Sequence, residues 1–94
     1  MLFLIHAIDK DDSEADRNNF YDLHKLYLAE VSISDVKIIM SGPLLSHDEK
    51  HTVGSLFIID VVSRSIAEKF HYNDPFYRNG IWKESYIQAF LRRR

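Results

Sequence analysis

The chain has 94 residues, enough for one small domain, and 46% of them are hydrophobic, which excludes an intrinsically disordered protein. Twelve basic and fourteen acidic side chains leave a net charge of −2, so we expect no nucleic-acid partner. The absence of cysteine excludes disulfide bonds, thiolate metal sites and a cysteine nucleophile.

The sequence shows no sign of a membrane segment or a secretion signal. Its apolar runs are all shorter than the ~18 residues that a membrane-spanning helix needs. Residues 1–8 are apolar apart from His6, and they have neither a basic leader nor a small-residue cleavage site. We therefore expect a cytoplasmic protein with no membrane partner.

The first predicted elements are a strand and a long helix. Residues 2–8 form an apolar run that is typical of a strand covered on both faces. A helix is predicted from about residue 14 to residue 31, because apolar side chains recur there at spacings of three and four. The expected interior face of this helix consists of Phe20, Leu23, His24, Tyr27, Leu28 and Val31. The expected water-facing side chains are Arg17, Asp22, Lys25 and Glu30.

The middle of the chain predicts an antiparallel hairpin. Residues 36–40 are β-branched and strand-like, and the pair Gly42-Pro43 is expected to end this strand. Residues 56–62 form a second apolar strand, and the polar residues 46–52 are expected to be a loop.

No recognisable cofactor or metal site is present in the sequence. The three glycines, at positions 42, 54 and 80, are scattered and form no phosphate-binding loop. His47 and His51 have the spacing of a zinc-protease pair, but that pair requires a helix, whereas these histidines lie in a polar connection. We therefore expect no metal and no cofactor.

The last third of the chain predicts a short helix, a turn and a strand. Residues 63–70 have helical spacing, and His71 is expected to cap or solvate the C-terminal end of this helix, where the helix dipole favours a cation. Asp74 before Pro75 is typical of a helix cap followed by proline at the first helical position. Gly80 then ends this segment, and residues 81–91 form the last predicted strand.

The order of predicted elements is βαββαβ, which is the ferredoxin-like α+β pattern. It places two helices on one face of an antiparallel sheet and leaves the other face open. A small domain buries a thin core, and an open apolar face favours association. We therefore expect one domain, residues 1–94, which pairs as a homodimer of the dimeric α+β barrel type.

His24 is the histidine that the helical pattern directs towards the interior. Imidazole can take and return a proton near neutral pH, so His24 is a candidate general base or acid. A carboxylate such as Asp74 could accept its N–H and fix its tautomer. The alternatives are a histidine packed at the edge of the core and an aspartate that only caps a helix.

The whole chain resembles the YCII-related (YciI-like) family through five segments in the right order. These segments are Met1-Leu2-Phe3-Leu4-Ile5, Leu23-His24-Lys25-Leu26, Ser41-Gly42-Pro43, Gly54-Ser55-Leu56, and Asp74-Pro75-Phe76 with Gly80. The resemblance implies a dimeric ferredoxin-like domain with His24 and Asp74 as the family's histidine–aspartate pair. The polar connection 44–53 departs from the family pattern, so the resemblance does not define the substrate class.

The resulting expectation is a small-molecule enzyme in which His24 and Asp74 catalyse proton transfer. The reaction would be elimination, isomerisation or hydrolysis of a small polar or aromatic acid. The residues expected to bind this ligand are Ser41, Gly42, Pro43 and Phe76. The alternative is a non-catalytic, dimeric module that binds a small metabolite, and it is favoured by the lack of an arginine or a metal that the sequence assigns to the pocket.

Overall fold

The computed structural model describes residues 1–31 and 35–94 and contains a four-stranded antiparallel sheet with helices packed against it. The elements in chain order are β1 (Leu2–Asp9), α1 (Glu14–Val31), β2 (Lys37–Leu45), β3 (Thr52–Asp60), α2 (Arg64–Tyr72), α3 (Pro75–Arg78) and β4 (Trp82–Phe90). The strand order is β2-β3-β1-β4, and each neighbouring pair is antiparallel. The predicted ferredoxin-like α+β fold is confirmed.

The core lies between the helices and one face of the sheet. Burial alternates along β1, where Phe3, Ile5 and Ala7 are buried and the residues between them are half-buried. This period of two places alternate side chains on opposite faces of a strand. The helices cover the buried face with Ala67 and Phe70 of α2, and several half-buried side chains of α1 pack against the same cluster.

The other face of the sheet keeps an apolar surface. Tyr86 pairs with His6 across β1 and β4, and Phe90 pairs with Leu2 in the same register. Directly opposite residues in a sheet share a face, so these aromatic side chains lie on the side away from the helices. Met40 is on this side too, and all three large side chains are exposed.

The strand β2 is longer than the sequence predicts. Gly42 and Pro43 do not end it, since β2 continues through them to Leu45 and Pro43 pairs with Ser55. Proline is tolerated because β2 is an edge strand, and one side of its backbone forms no hydrogen bonds with a neighbouring strand. The strand β3 also begins earlier than predicted, at Thr52.

The 18-residue helix α1 has the predicted position, but the burial of two of its side chains differs from the prediction. Leu23, expected inside, is 54% exposed. Arg17, expected in water, has a side chain that is only 11% exposed because it binds the buried Asp9. No helix in the described ranges is long and apolar enough to cross a membrane.

Candidate active site

The centre of the candidate site is a contact between His24 and Asp74. His24 comes from the middle of α1, and Asp74 precedes α3, fifty residues later in the chain. His24 Nδ1 lies 2.7 Å from Asp74 Oδ1, and Asp74 is 1% exposed. The structure thus brings together the two residues that the sequence singled out.

Asp74 combines the two roles that the sequence left open. Its Oδ1 accepts the backbone N–H of Phe76 at 2.9 Å, which makes Asp74 the N-cap of α3, with Pro75 at the first helical position. The same oxygen contacts His24. One carboxylate oxygen therefore begins a helix and contacts the imidazole, while Oδ2 is buried without a partner among the described residues.

This contact determines which nitrogen of His24 is available for chemistry. A carboxylate only accepts hydrogen bonds, so the proton of a neutral His24 is on Nδ1 and the lone pair is on Nε2. His24 lines a cavity of the described molecule, and its Nε2 has no hydrogen-bond partner among the described residues. The arrangement can hold a base whose tautomer is fixed by Asp74.

Aromatic side chains hold the His24 ring in place. Phe76 stacks on it with centroids 4.0 Å apart and an interplanar angle of 4°. Phe57 and Trp82 approach it edge-on, at 6.2 and 6.4 Å. Both stacked and edge-to-face contacts restrict a ring, so few orientations remain open to this imidazole.

The cavity has a volume of about 530 Å³ and lies between α1 and the strands β2 and β3. Its lining includes His24 and all four residues predicted to bind a ligand, which are Ser41, Gly42, Pro43 and Phe76. Asp74 lies behind His24 and does not line the cavity. The other lining side chains are Glu14, Arg17, Asn18, Tyr21, Lys25, Leu28, Thr52, Ser55 and Phe57.

Arg17 is the site residue that the sequence reasoning missed. Its Nε and Nη2 donate to the two oxygens of Asp9 at 2.6 and 2.9 Å, and it lines the cavity. The signal was its spacing, because Arg17 is seven residues before His24 and so lies on the same face of α1. A charged side chain on a helix is usually solvated, and Arg17 can be buried because Asp9 of β1 and Gly54 and Ser55 of β3 accept its hydrogen bonds.

His71 was predicted to be solvated, and this is wrong. It is 1% exposed, its Nε2 lies 2.7 Å from Ser85 Oγ, and its ring stacks on Trp82 with centroids 4.9 Å apart. Burial lowers the pKa of His71 from 6.5 to about 4, although the carboxylate of Asp74 partly opposes the shift. His71 is therefore neutral near pH 7.

The remaining histidines lie outside the cavity. His6 is on the open face of the sheet, 6.1 Å from the ring of Tyr86, and His51 is an exposed neighbour of Glu14. Within residues 1–31 and 35–94, no group of three or more histidine, aspartate or glutamate side chains could hold a metal ion.

The sequence of this domain matches the YCII-related domain family over residues 1–91. The chain belongs to the YCII-related family. Its structure is similar to that of the 5-chloro-2-hydroxyhydroquinone dehydrochlorinase (TftG) from Burkholderia phenoliruptrix AC1100 in complex with 2,5-dihydroxybenzoquinone. The two are 30% identical, the match covers 97% of this chain and 94% of TftG, and the TM-score is 0.84.

A more distant structure has the same fold as this YCII-related domain. The protein At3g17210 from Arabidopsis thaliana is 15% identical, with a TM-score of 0.55 over 97% of this chain and 93% of the other. A comparison with curated proteins finds no match.

Proposed function

We propose that this YCII-related protein is a small-molecule enzyme in which His24 transfers a proton and Asp74 orients its ring. The observation that carries the proposal is the 2.7 Å contact between Nδ1 of a cavity-lining histidine and a buried carboxylate. The reaction class is elimination, isomerisation or hydrolysis of a small polar or aromatic acid. Ser41, Gly42, Pro43 and Phe76 bind the substrate.

The physical chemistry of the pair supports this role. When Nε2 takes a proton, the ring becomes an imidazolium, and a full positive charge forms in a buried place. Asp74 provides a negative charge at hydrogen-bond distance, which stabilises that cation and keeps Nε2 directed to the cavity. General acid–base catalysis of this kind contributes a factor of ~10²–10⁴ to a rate.

The substrate class is proposed from the cavity and from the similar structure. The relative that is 30% identical is a dehydrochlorinase of a hydroxylated ring and binds a dihydroxybenzoquinone. In this chain the cavity offers the aromatic rings of Phe57 and Phe76 with the hydroxyl groups of Ser41 and Ser55. Flat rings with polar edges fit such a lining, so a hydroxylated aromatic or quinonoid compound is the proposed substrate.

The proposal is tested with 5-chloro-2-hydroxyhydroquinone as the first probe, by measuring chloride release. The wild-type protein is expected to release chloride, and His24→Ala is expected to lose ~10²–10⁴ of the rate while it still folds. His47→Ala is the matched control, because His47 is an exposed loop histidine that does not line the cavity.

Binding is measured on the same variants by the thermal shift with 2,5-dihydroxybenzoquinone. An enzyme in which His24 acts as the base keeps this shift in His24→Ala. If the shift disappears and no ring compound is consumed by the wild-type protein, the protein is a binding module and the proposed enzyme function is wrong.

The proposed assembly is a homodimer that buries the open face of the sheet. Met40, Tyr86 and Phe90 are 59%, 54% and 39% exposed on that face. Burial of apolar surface contributes ~25 cal/mol per Å², and a second copy offers the same surface. Light scattering is expected to give a dimer for the wild type and a monomer for a Met40→Lys, Tyr86→Lys variant. Tyr72→Lys, on α2, should remain dimeric.

A further inference from the structure

The guanidinium of Arg17 has one nitrogen that forms no hydrogen bond with residues 1–31 and 35–94. Nε donates to Asp9, and Nη2 donates to Asp9, to the carbonyl oxygen of Gly54 at 2.7 Å and to the hydroxyl of Ser55 at 2.9 Å. Nη1 donates to none of the described residues. The side chain lines the cavity, and Nη1 is the nitrogen whose hydrogens no described residue accepts, so it is the nitrogen left to donate to a ligand.

Arg17 and His24 lie against the same aromatic ring. The guanidinium carbon of Arg17 is 5.1 Å from the centroid of Phe76, and the centroid of His24 is 4.0 Å from it. The two distances, 4.0 and 5.1 Å, together limit the separation of the guanidinium carbon from the imidazole to about 9 Å. One small ring bound in the cavity can therefore contact both side chains.

The charges at this end of the cavity favour a substrate that arrives neutral. Arg17 is balanced by Asp9, and neutral His24 beside Asp74 leaves a net charge of −1 on that pair. The other charged lining residues, Lys25 and Glu14, are exposed and opposite in sign. No excess positive charge is present to attract an anion, yet Arg17 can donate to a negative charge that forms inside.

We infer that Arg17 Nη1 binds the oxygen on which negative charge develops when His24 deprotonates the substrate. The O–H or C–H bond breaks, and its proton forms a bond to Nε2 of His24. The electron pair of an O–H bond stays on that oxygen, whereas the electron pair of a C–H bond moves to a conjugated carbonyl oxygen. Arg17 donates to that oxygen, and Asp74 stabilises the imidazolium. The substrate is thus a neutral acid whose conjugate base is an enolate, a phenolate or a hydroxyquinone anion.

This reaction step rests on the proposed function, but the oxyanion subsite can be tested by ligand binding alone, without turnover. The probes are substituted phenols of similar size and graded acidity, including 4-nitrophenol, whose absorbance reports whether the bound molecule is ionised. At fixed pH the wild-type protein is expected to bind more acidic phenols more tightly and to hold 4-nitrophenol as the phenolate.

The variants separate a ligand-binding role of Arg17 from a structural one. Arg17→Gln is expected to weaken phenolate binding roughly ten- to hundredfold, the effect of one hydrogen bond to a charged group, and to flatten the dependence on acidity. Arg17→Lys should retain part of that dependence, because it keeps the charge and loses the planar fork. Arg64→Gln is the matched control on α2, where the arginine forms an exposed pair with Glu68.

The inference fails if the affinity of the wild-type protein does not depend on phenol acidity, a result that needs no variant to fold. It also fails if folded Arg17→Gln keeps the wild-type dependence. The failure of the proposed function gives a different result, whatever Arg17 does: either the wild-type protein consumes no ring compound, or His24→Ala turns it over at the wild-type rate. His24→Ala should still prefer the more acidic phenols.

Discussion

Two buried histidines lie close to the same tryptophan, and they differ in the partner of the ring and in access to the cavity. His24 meets Trp82 edge-on at 6.4 Å, contacts the carboxylate of Asp74 and lines the cavity. His71 stacks on Trp82 at 4.9 Å, contacts the hydroxyl of Ser85 and is enclosed. The comparison shows that burial of an imidazole does not by itself indicate a functional site.

The two imidazoles differ in the group that contacts one ring nitrogen and in whether the side chain lines the cavity. A hydroxyl group carries no charge, so nothing at Ser85 offsets the loss of water around an imidazolium, and the pKa of His71 is lowered to about 4 by burial. At His24 the adjacent group is a carboxylate, and Nε2 belongs to a side chain that lines the cavity. His24 can accept a proton from a ligand, whereas His71 stays neutral near pH 7.

The largest expected difference between the two histidines is in turnover. His24→Gln is expected to lower the rate by ~10²–10⁴, because the base is removed. His71→Gln is expected to keep the rate per folded molecule, with folding verified by circular dichroism. Equal losses of turnover in folded samples of both variants would show that the two histidines work as one unit.

Asp74 can be used to separate orientation from helix capping. In Asp74→Asn the amide oxygen can still cap α3, but the negative charge beside His24 is lost, so turnover should fall by roughly 10² while the melting temperature changes little. Asp74→Ala loses the cap too and should be less stable than Asp74→Asn by ~1 kcal/mol. Kinetics and thermal unfolding are measured on both variants. Equal turnover in the wild type and in Asp74→Asn would contradict the proposal that Asp74 orients His24.

The dependence of the free energy of unfolding on pH reports the protonation of His71. The unfolded chain protonates this residue as the pH falls below the ordinary histidine pKa of 6.5, whereas the folded chain does so only near its lowered pKa of about 4. The contribution of neutral His71 to the free energy of unfolding is therefore complete above pH 6.5. It is lost as the pH falls to 4, by up to ~3 kcal/mol. Urea unfolding between pH 7 and 4 should show a flatter profile for His71→Gln than for the wild type. Parallel profiles would mean that His71 titrates normally.

The smallest expected effect is at Ser85. Ser85→Ala removes the hydrogen-bond partner of His71 Nε2 and should cost ~1 kcal/mol of stability at pH 7. Turnover should stay unchanged, because Ser85 contacts neither His24 nor the cavity lining. A loss of turnover without a loss of stability would connect the two histidines through Trp82.

Local patterns in the sequence predicted most of the fold and the centre of the site. The apolar run of residues 2–8, the helical spacing of residues 14–31 and the dipeptide Asp74-Pro75 each reflect short-range geometry, and the structure has a strand, a helix and a cap there. The errors have a common cause. The burial of Arg17 depends on Asp9 and on β3, and the burial of His71 depends on β4, so both are set by contacts between distant segments.

The presence of Pro43 inside β2 also depends on contacts between distant segments. Glycine followed by proline usually ends a strand, and only the position of β2 at the edge of the sheet lets the strand continue. Strand order is a global property, so the local sequence could not provide it. The result matters for the site, because the extension brings residues 41–43 to the cavity.

The dependence of the His24 ring on Asp74 has a consequence for how the protein is made. During synthesis α1 emerges early, whereas the oxygen that orients its histidine arrives fifty residues later. β1 lies between β3 and β4 and acquires its second neighbour only when β4 has been added. A chain that ends before residue 74 thus carries His24 without this carboxylate, and the proposed base gains its orienting partner only when Asp74 has been added.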